Sequence, residues 1–451
     1  MNDVTLDEVA SLAKRRGFIY QGSEIYGGLA GTWDYGPLGV QLKRNIQALW
    51  WKTFVEDRED MYGIDAAILM NQNVWKTSGH VSGFHDPLVE DLKTKRRFRA
   101  DHLLEDNGVS PVGMTLEQMD EAIRGHKLKS PDGNALGEVR QFNMMFKTNV
   151  GATADEASIS YLRPETAQGM FVNFKNVLDS FSPNMPFGMA QIGKAFRNEI
   201  APRDFIFRVR ELEQMEIEYF VHPDHWEKSF DYWLEQQKLF LLALGLPEKK
   251  IHQVEIPEED RAHYSKRSVD TEFDFPFGQK ELLGLAYRTN YDLMNHQNAS
   301  GKNMEYRPKD GGGAFVPHCV EPTFGLDRLV LAVLANSFEV DELHGEKRTV
   351  LRLPKHLAPV RAAVSPLLKN KQELVQLARK TYDRLKKELG AVMWDDNGNI
   401  GKRYRRQDEI GTPYCVTIDF QTLDDMTVTL RNRDTAEQQR IAIDELLDHL
   451  R

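Results

Sequence analysis

The sequence predicts an α/β chain of more than one domain, and three observations carry that prediction. Residues 196–220, FRNEIAPRDFIFRVRELEQMEIEYF, read as an extended run, a Pro-Arg-Asp turn and a second extended run. In the returning run Ile206, Arg208 and Arg210 alternate with Phe207, Val209 and Glu211, the period of a strand. Residues 321–334, EPTFGLDRLVLAVL, pass from a turn into an apolar helix. Beyond residue 351, short strand-like runs interleave with helical ones, the pattern of an α/β sheet.

Composition bounds the rest. A length of 451 residues allows two or three domains. With 41% hydrophobic and 28% charged residues, the chain fits an ordinary globular protein. No stretch approaches a membrane span and the first residues lack a secretory pattern, so no membrane partner is expected. Cys319 and Cys415 give neither a disulfide framework nor a metal knuckle, which points to a reducing, cytoplasmic setting. The net charge of −10 is unevenly spread: residues 351–451 carry 18 basic and 15 acidic side chains, a balance of +3. A less acidic C-terminal part suits contact with nucleic acid.

In chain order, residues 5–16 read as a helix, with Thr5 and Glu8 as a capping box and Gly17 as its end. The glycine-rich run 27–39 either brings backbones close or shapes a loop. A helix follows Pro37, with Leu38, Leu42, Ile46, Leu49, Trp50 and Phe54 on one face. Residues 80–160 are the least regular, and 103–137 look like a polar insertion. YLRPETAQGMF (161–171) leads into a helical pattern. Residues 224–245 read as a helix capped by Asp224, and 246–270 as a charged connection. TEFDFPF (271–277) alternates as a strand, and Gly278 begins a turn. Residues 336–353 have no sustained period and mark a domain boundary. Strands are then expected at 358–364, 390–394, 413–420 and 426–430, with helices at 371–389 and 435–450. GKRYRRQDEIG (401–411) is the most basic run of this part, a candidate RNA contact or a solvated face.

Several of these runs resemble known signatures. Phe196-Arg197-Asn198-Glu199 and Gly325-Leu326-Asp327-Arg328 resemble motifs 2 and 3 of class II aminoacyl-tRNA synthetases. GGLAGTWDYGPLG (27–39), YLRPETAQGMF, ELEQMEIEYF (211–220) and VPHCVEPTFGLDR (316–328) are similar to the homodimeric glycyl-tRNA synthetases, and the resemblance spans nearly the whole chain. It implies an α+β catalytic core, an antiparallel sheet flanked by helices, over 1–345, with an insertion near 85–160. It further implies an α/β anticodon-binding domain over 346–451, and a dimer built around the motif proline, here Pro37. Relatives often carry a Cys-Pro-x-Cys run where this chain has Lys129-Ser130-Pro131-Asp132-Gly133, so no structural zinc or other resident metal is expected.

The implied reaction joins glycine to ATP as glycyl-adenylate, then passes the glycyl group to tRNA(Gly). It asks for positioned charge rather than a protein nucleophile. By resemblance, Arg197 holds the α-phosphate, Arg328 meets the γ-phosphate and lies over the adenine, and Glu199 completes the catalytic set. The implied ATP contacts are Arg197, Asn198, Glu199, Phe207, Arg208, Val209, Arg210, Glu211, Leu212, Glu281, Leu282, Gly325, Leu326, Asp327 and Arg328. Magnesium accompanies the polyphosphate, with Glu199 or Glu281 as its carboxylate. Glycine offers only an ammonium and a carboxylate, so its pocket should be small and rich in acceptors. The implied glycine contacts are Arg99, Glu165, Leu212, Glu213, Gln214, Met215, Glu216, Glu321, Pro322, Thr323, Phe324 and Gly325. A non-catalytic relative would have lost the phosphate arginines, yet Arg197 and Arg328 are present.

Overall fold

The computed structural model describes residues 4–152, 158–343 and 345–451. Helix α1 (Leu6–Arg15) starts where the sequence puts it, with both arms of the Thr5–Glu8 capping box formed. Helix α2 (Pro37–Trp51) has Pro37 in its first turn and continues as a π turn through Glu56. Its stripe of Leu42, Ile46, Trp50 and Phe54 is buried. Gly39 is required there, because a Cβ would lie 1.8 Å from the Phe18 carbonyl oxygen.

The centre is a seven-stranded sheet. Its strands are β1 (Met61–Gly63), β2 (Phe187–Phe196), β3 (Glu211–Val221), β4 (Ile251–Glu255), β5 (Arg267–Phe275), β6 (Gly278–Thr289) and β7 (His318–Gly325). Their order is β4-β5-β6-β7-β3-β2-β1, antiparallel throughout except for the β1–β2 pair. Helices that flank it include α2, α3 (Ala167–Phe181), α4 (Trp226–Ala243), α5 (Tyr291–Ser300) and α6 (Leu326–Ser337).

Strand alternation sorts the motif residues between two faces. Met215, Ile217 and Tyr219 of β3, with Val320 and Phe324 of β7, join the core that also holds α2, α4 and α6 side chains. The Phe324 ring lies 5.8 Å from Trp50, 5.4 Å from Phe54 and 5.5 Å from Phe240. Leu212, Gln214 and Glu216, with Thr323 and Glu321, line cavities on the other face.

Several expectations change. The returning strand begins at Glu211, not Ile206. Asp204 and Phe205 adopt φ of 59° and 58°, and Arg203 pairs with Arg208 across an isolated bridge, so 203–210 is an arch rather than a strand. Ile206, Phe207 and Val209 are buried all the same. The run into α6 starts as strand β7, not a turn. Asp224 is not a cap: it sits in a 3₁₀ turn, where the His222 ring accepts its N–H. The connection 246–270 holds β4, and Gly278 opens β6.

The insertion is more regular than its polarity suggests. Strands His85–Glu90, Arg97–Arg99 and Arg140–Asn143 form a sheet, with helices Ala100–Glu105 and Leu116–Gly125 over a core of Val89, Leu104 and Ile123. Residues 153–157 of the expected insertion lie outside the described residues. Buried Asp91 ties two turns together by accepting from Lys93 N and Thr94 N at 2.8 Å, Ser130 Oγ at 2.5 Å and Asn134 Nδ2 at 3.0 Å.

Residues 336–353 are a hairpin, Phe338–Leu343 against Glu346–Leu351, rather than an irregular boundary. Leu351, Leu353, Leu357 and Val360 belong to the central core. The C-terminal sheet has strands β8 (Ala362–Pro366), β9 (Val392–Trp394), β10 (Tyr414–Ile418), β11 (Thr427–Asn432) and β12 (Gln438–Ala442), in the order β9-β8-β10-β11-β12. Helices α7 (Gln372–Leu389) and α8 (Ile400–Glu409) accompany it. The expected helix 435–450 is instead β12 plus one turn, Leu446–Leu450.

The basic run 401–411 forms α8, and its arginines are engaged within the protein. Arg403 donates to the Pro366 and Gly398 carbonyls, Arg405 pairs with Glu346, and Arg406 with Asp395. Asp408 of the same helix is buried between Arg431 at 2.7 Å and Arg348 at 3.3 Å. Glu409 pairs with Arg16, the residue that follows α1. These contacts fasten the C-terminal sheet to the rest of the molecule.

Candidate active site

Two adjoining cavities open on the non-core face of the central sheet. The first has an empty volume of about 680 Å³ and is bounded by the arch 203–210, β3, β6 and the start of α6. The second, of about 970 Å³, lies further along β3, β6 and β7 and is not the small pocket expected for glycine; only its carboxylate-lined end is closely walled. Arg197, Gln214, Glu281, Gly284 and Thr323 line both.

Arg197 therefore stands at the junction. Its Nε donates to the Pro164 carbonyl at 3.1 Å, which fixes the guanidinium. The terminal nitrogens have no protein partner among the described residues. Arg208 is half-buried in the first cavity, and its guanidinium makes no hydrogen bond or close ion pair among the described residues. Burial, and after it the neighbouring Arg99, Arg203 and Arg328, pull its pKa down against Glu199. A desolvated cation whose donors are free is costly and attracts a polyanion.

Arg328 lies over the Phe207 ring at 4.3 Å and pairs with the Glu281 carboxylate at 2.9 Å. Burial raises the Glu281 carboxyl, but Arg328 outweighs it and holds the group below the usual range. Asp270, also in the second cavity, is pushed up to about 7 by burial, then by Glu281 and Glu272. The Glu199 side chain has no partner among the described residues, while its carbonyl accepts from Arg210 Nη2 at 3.0 Å.

The second cavity is acidic. Glu165, Glu216 and Glu321 line it, and all three are buried. Glu216 accepts Thr166 Oγ1 at 2.5 Å and Thr323 Oγ1 at 3.0 Å. Burial, then Glu165, pushes the Glu216 carboxyl up. Burial pushes Glu321 up to about 8, against Arg288 and with help from Glu216 and Glu165. Glu165 goes the other way: burial raises it, but His80 at 3.3 Å, and after it Arg288, bring it below the ordinary carboxylate range.

Arg288 and His80, with Asp270, are among the residues that sequence reasoning missed. Arg288 is fully buried, with Nε and Nη2 on Asp292 at 2.8 and 2.9 Å, Nη1 on Glu321 at 2.9 Å, and Tyr264 at 3.8 Å. Gln168 extends the brace, donating to Asp292 at 2.8 Å and to Glu165 at 3.3 Å. A lone Arg in the apolar strand LLGLAYR, four residues before Asp292, was the available signal.

The other expected residues divide by face. Leu212, Gln214, Thr323, Gly325, Leu282 and Val209 line the cavities. Met215, Pro322, Phe324 and Leu326 do not: alternation along the strands, and the helix position of Leu326, turn their buried side chains toward the core. Glu213 borders the first cavity, but its carboxylate accepts Lys43 Nζ at 2.6 Å and Gln47 Nε2 at 2.5 Å. Asp327 is likewise spent on Tyr35 Oη at 2.5 Å and Glu213 N at 2.7 Å. Arg210 latches the arch to the Ala30 carbonyl, and Glu211 pairs with Lys194. Asn198 joins the insertion by donating its N–H to Met144 O. Arg99 lines neither cavity; Asp86 holds it at 2.8 Å and Asp101 at 2.5 Å, near Glu199 and Arg208.

Comparison with known proteins shows the family. A model of the tRNA synthetase class II core domain (G, H, P, S and T) matches residues 146–337, and one of an anticodon binding domain matches 361–451. A curated glycine–tRNA ligase of Caldanaerobacter subterraneus subsp. tengcongensis is 50% identical over 99% of this chain and 98% of its own length. Those of Clostridium tetani and Geobacillus thermodenitrificans are 50% and 49% identical, over 99% and 98% of this chain and 98% and 96% of their own.

Proposed function

The chain belongs to the glycine–tRNA ligase family of class II aminoacyl-tRNA synthetases and charges tRNA(Gly) with glycine, and from that premise we propose how its two cavities divide the work. The first takes ATP and the second takes glycine. The observation that carries this reading is the shared wall, with Arg197 at the point where the two substrates meet.

The glycine carboxylate attacks the α-phosphorus there and pyrophosphate leaves. Arg197 has its terminal nitrogens free for the oxygens on which charge gathers. Arg208 receives the polyphosphate. Phe207 backs one face of the Arg328 guanidinium, which leaves the other for adenine, with Leu212 as the apolar cover opposite. In the second cavity Glu165, Glu216 and Glu321 accept the ammonium. Fully buried Arg288 sits among these three carboxylates and Asp292, and the excess of acid groups favours a cationic visitor. Thr323, hydrogen-bonded to Glu216, fixes one wall of the cavity.

The family uses ATP and generally magnesium. The acidic donors fit a hard divalent cation: Glu199 is unpaired among the described residues, and Asp270 and Glu281 repel one another. These carboxylates would hold the metal beside the polyphosphate. When bound, it would neutralise phosphate charge.

We divide the chain near residue 360 rather than 345, because residues 351–360 contribute to the central core. The part beyond carries the anticodon-binding fold. A homodimer in the cytoplasm is the proposed working state. Exposed Ile25, Tyr26 and Leu29, in the loop that precedes α2 in sequence, offer apolar surface for the second subunit. Among the described residues no helix is long and apolar enough to cross a membrane.

The acidic cavity predicts a pH dependence. Glu321 must be ionised to accept the ammonium, and its carboxyl is pushed up to about 8. Below that pH it carries a proton, so glycine use falls as the medium is acidified. We expect kcat/KM for glycine in ATP–pyrophosphate exchange to drop by up to about tenfold per pH unit below 8. A profile that stays flat from pH 6.5 to 8.5 contradicts the role given to Glu321.

A further inference from the structure

Glu218 is a fourth buried carboxyl beside the glycine site, and the division of work above leaves it without a role. It follows Glu216 by two residues on β3 and is fully buried. It lines neither cavity. Its Oε2 accepts the Cys319 thiol at 2.9 Å, while Oε1 has no partner among the described residues. Oxygens of Glu216, Glu218 and Glu321 lie within 4.8 Å of one another. The charged and titratable groups that face it are Glu216 on its own strand, Glu321 and Cys319 on β7, and Arg288 on β6.

A buried anion with an unpartnered oxygen is unfavourable. A neutral acid in the same place turns that oxygen into a donor. Burial, then Glu321, and beyond them Glu216, push the Glu218 carboxyl well up, with Arg288 opposing. Three acids this close do not all ionise, and Glu218 is the one with no ligand to meet.

We propose that Glu218 is a positioning residue for glycine: a carboxylic acid whose O–H, directed from behind the cavity at the Glu216–Glu321 pair, holds those carboxylates in place for the ammonium. The proposal rests on the glycine-site reading above. It separates the hydrogen bond from the charge. Glutamine keeps a donor for the pair and an acceptor for Cys319, whereas methionine keeps the bulk and loses both.

The test uses the full-length protein and ATP–pyrophosphate exchange, with KM for glycine, KM for ATP and kcat read separately. Glu218→Gln is expected to stay within about threefold of the parent in glycine KM, and Glu218→Met to raise it about tenfold or more with ATP KM unchanged. Glu216→Gln, run alongside, should raise glycine KM as well. A Glu218→Met enzyme within about twofold of the parent overturns the proposal, as does Glu218→Gln matching Glu218→Met in damage. If Glu218→Met does not fold, a tenfold rise in Glu218→Gln is itself enough to overturn it. If Glu216→Gln leaves glycine KM unchanged, the glycine site is misplaced and the proposal falls with it. A loss confined to Glu218→Met and Glu216→Gln supports both.

Discussion

Replacing Arg197 by alanine should leave a folded protein that forms glycyl-adenylate about 10²–10³-fold more slowly. Among the described residues the side chain's hydrogen bond is that of Nε to the Pro164 carbonyl, and it lies 5.7 Å from the Phe84 ring. Its removal takes away little packing. What is lost is a donor fixed in advance where the two cavities join, and preorganised donors matter most in the transition state. Exchange assays should show the loss mainly in kcat, with the unfolding midpoint close to that of the parent. Near-normal exchange by a folded Arg197→Ala protein would remove Arg197 from the chemistry.

Arg288→Leu should do more damage and of a different kind. Arg288 is the buried cation that Asp292 and Glu321 share, and it also lowers the Glu165 carboxyl. Without it those carboxylates stay buried and unbalanced, which typically costs about 3–5 kcal/mol. They would take up protons, and glycine would lose its acceptors. Denaturant unfolding should show the destabilisation, and glycine-dependent exchange should be largely lost. Arg288→Lys should not restore the enzyme, because an ammonium cannot span Asp292 and Glu321 with a planar fork. Destabilisation under about 1 kcal/mol would show that the brace is not what holds the pocket.

The residues that were legible in the sequence are those whose signal is local. The Thr5–Glu8 box, Pro37 and the α2 stripe each state their structure within a few positions. The motif runs brought Arg197, Glu165, Glu216, Glu321 and Arg328 onto the page together. What stayed hidden is nonlocal. The arch 203–210 alternates like a strand but owes its burial to Phe275 and Phe277, rings contributed from β5 and the turn after it. Runs such as 211–216 and 321–325 list ligand contacts in series, and the pleat then turns every second side chain into the core. Met215 and Phe324 are lost from the site in this way. Arg288 and His80 carry no motif of their own, and their meaning comes from Glu165 and Glu321, distant in sequence. The basic run of α8 hides its internal pairs, because Glu346 and Asp395, which engage Arg405 and Arg406, come from other segments.

The claim that an acidic pocket of fixed walls selects glycine is tested most directly by ATP–pyrophosphate exchange with glycine and alanine on the unmodified enzyme. Alanine must place one extra methyl among Glu165, Glu216, Glu321 and Thr323, whose positions are set by His80, Thr166 and Arg288. A carboxylate cage tied down in this way has little room to shift, and repulsion against such walls is steep. The account predicts that alanine is activated with a kcat/KM more than about 10²-fold below that of glycine. Alanine within about tenfold of glycine would contradict it.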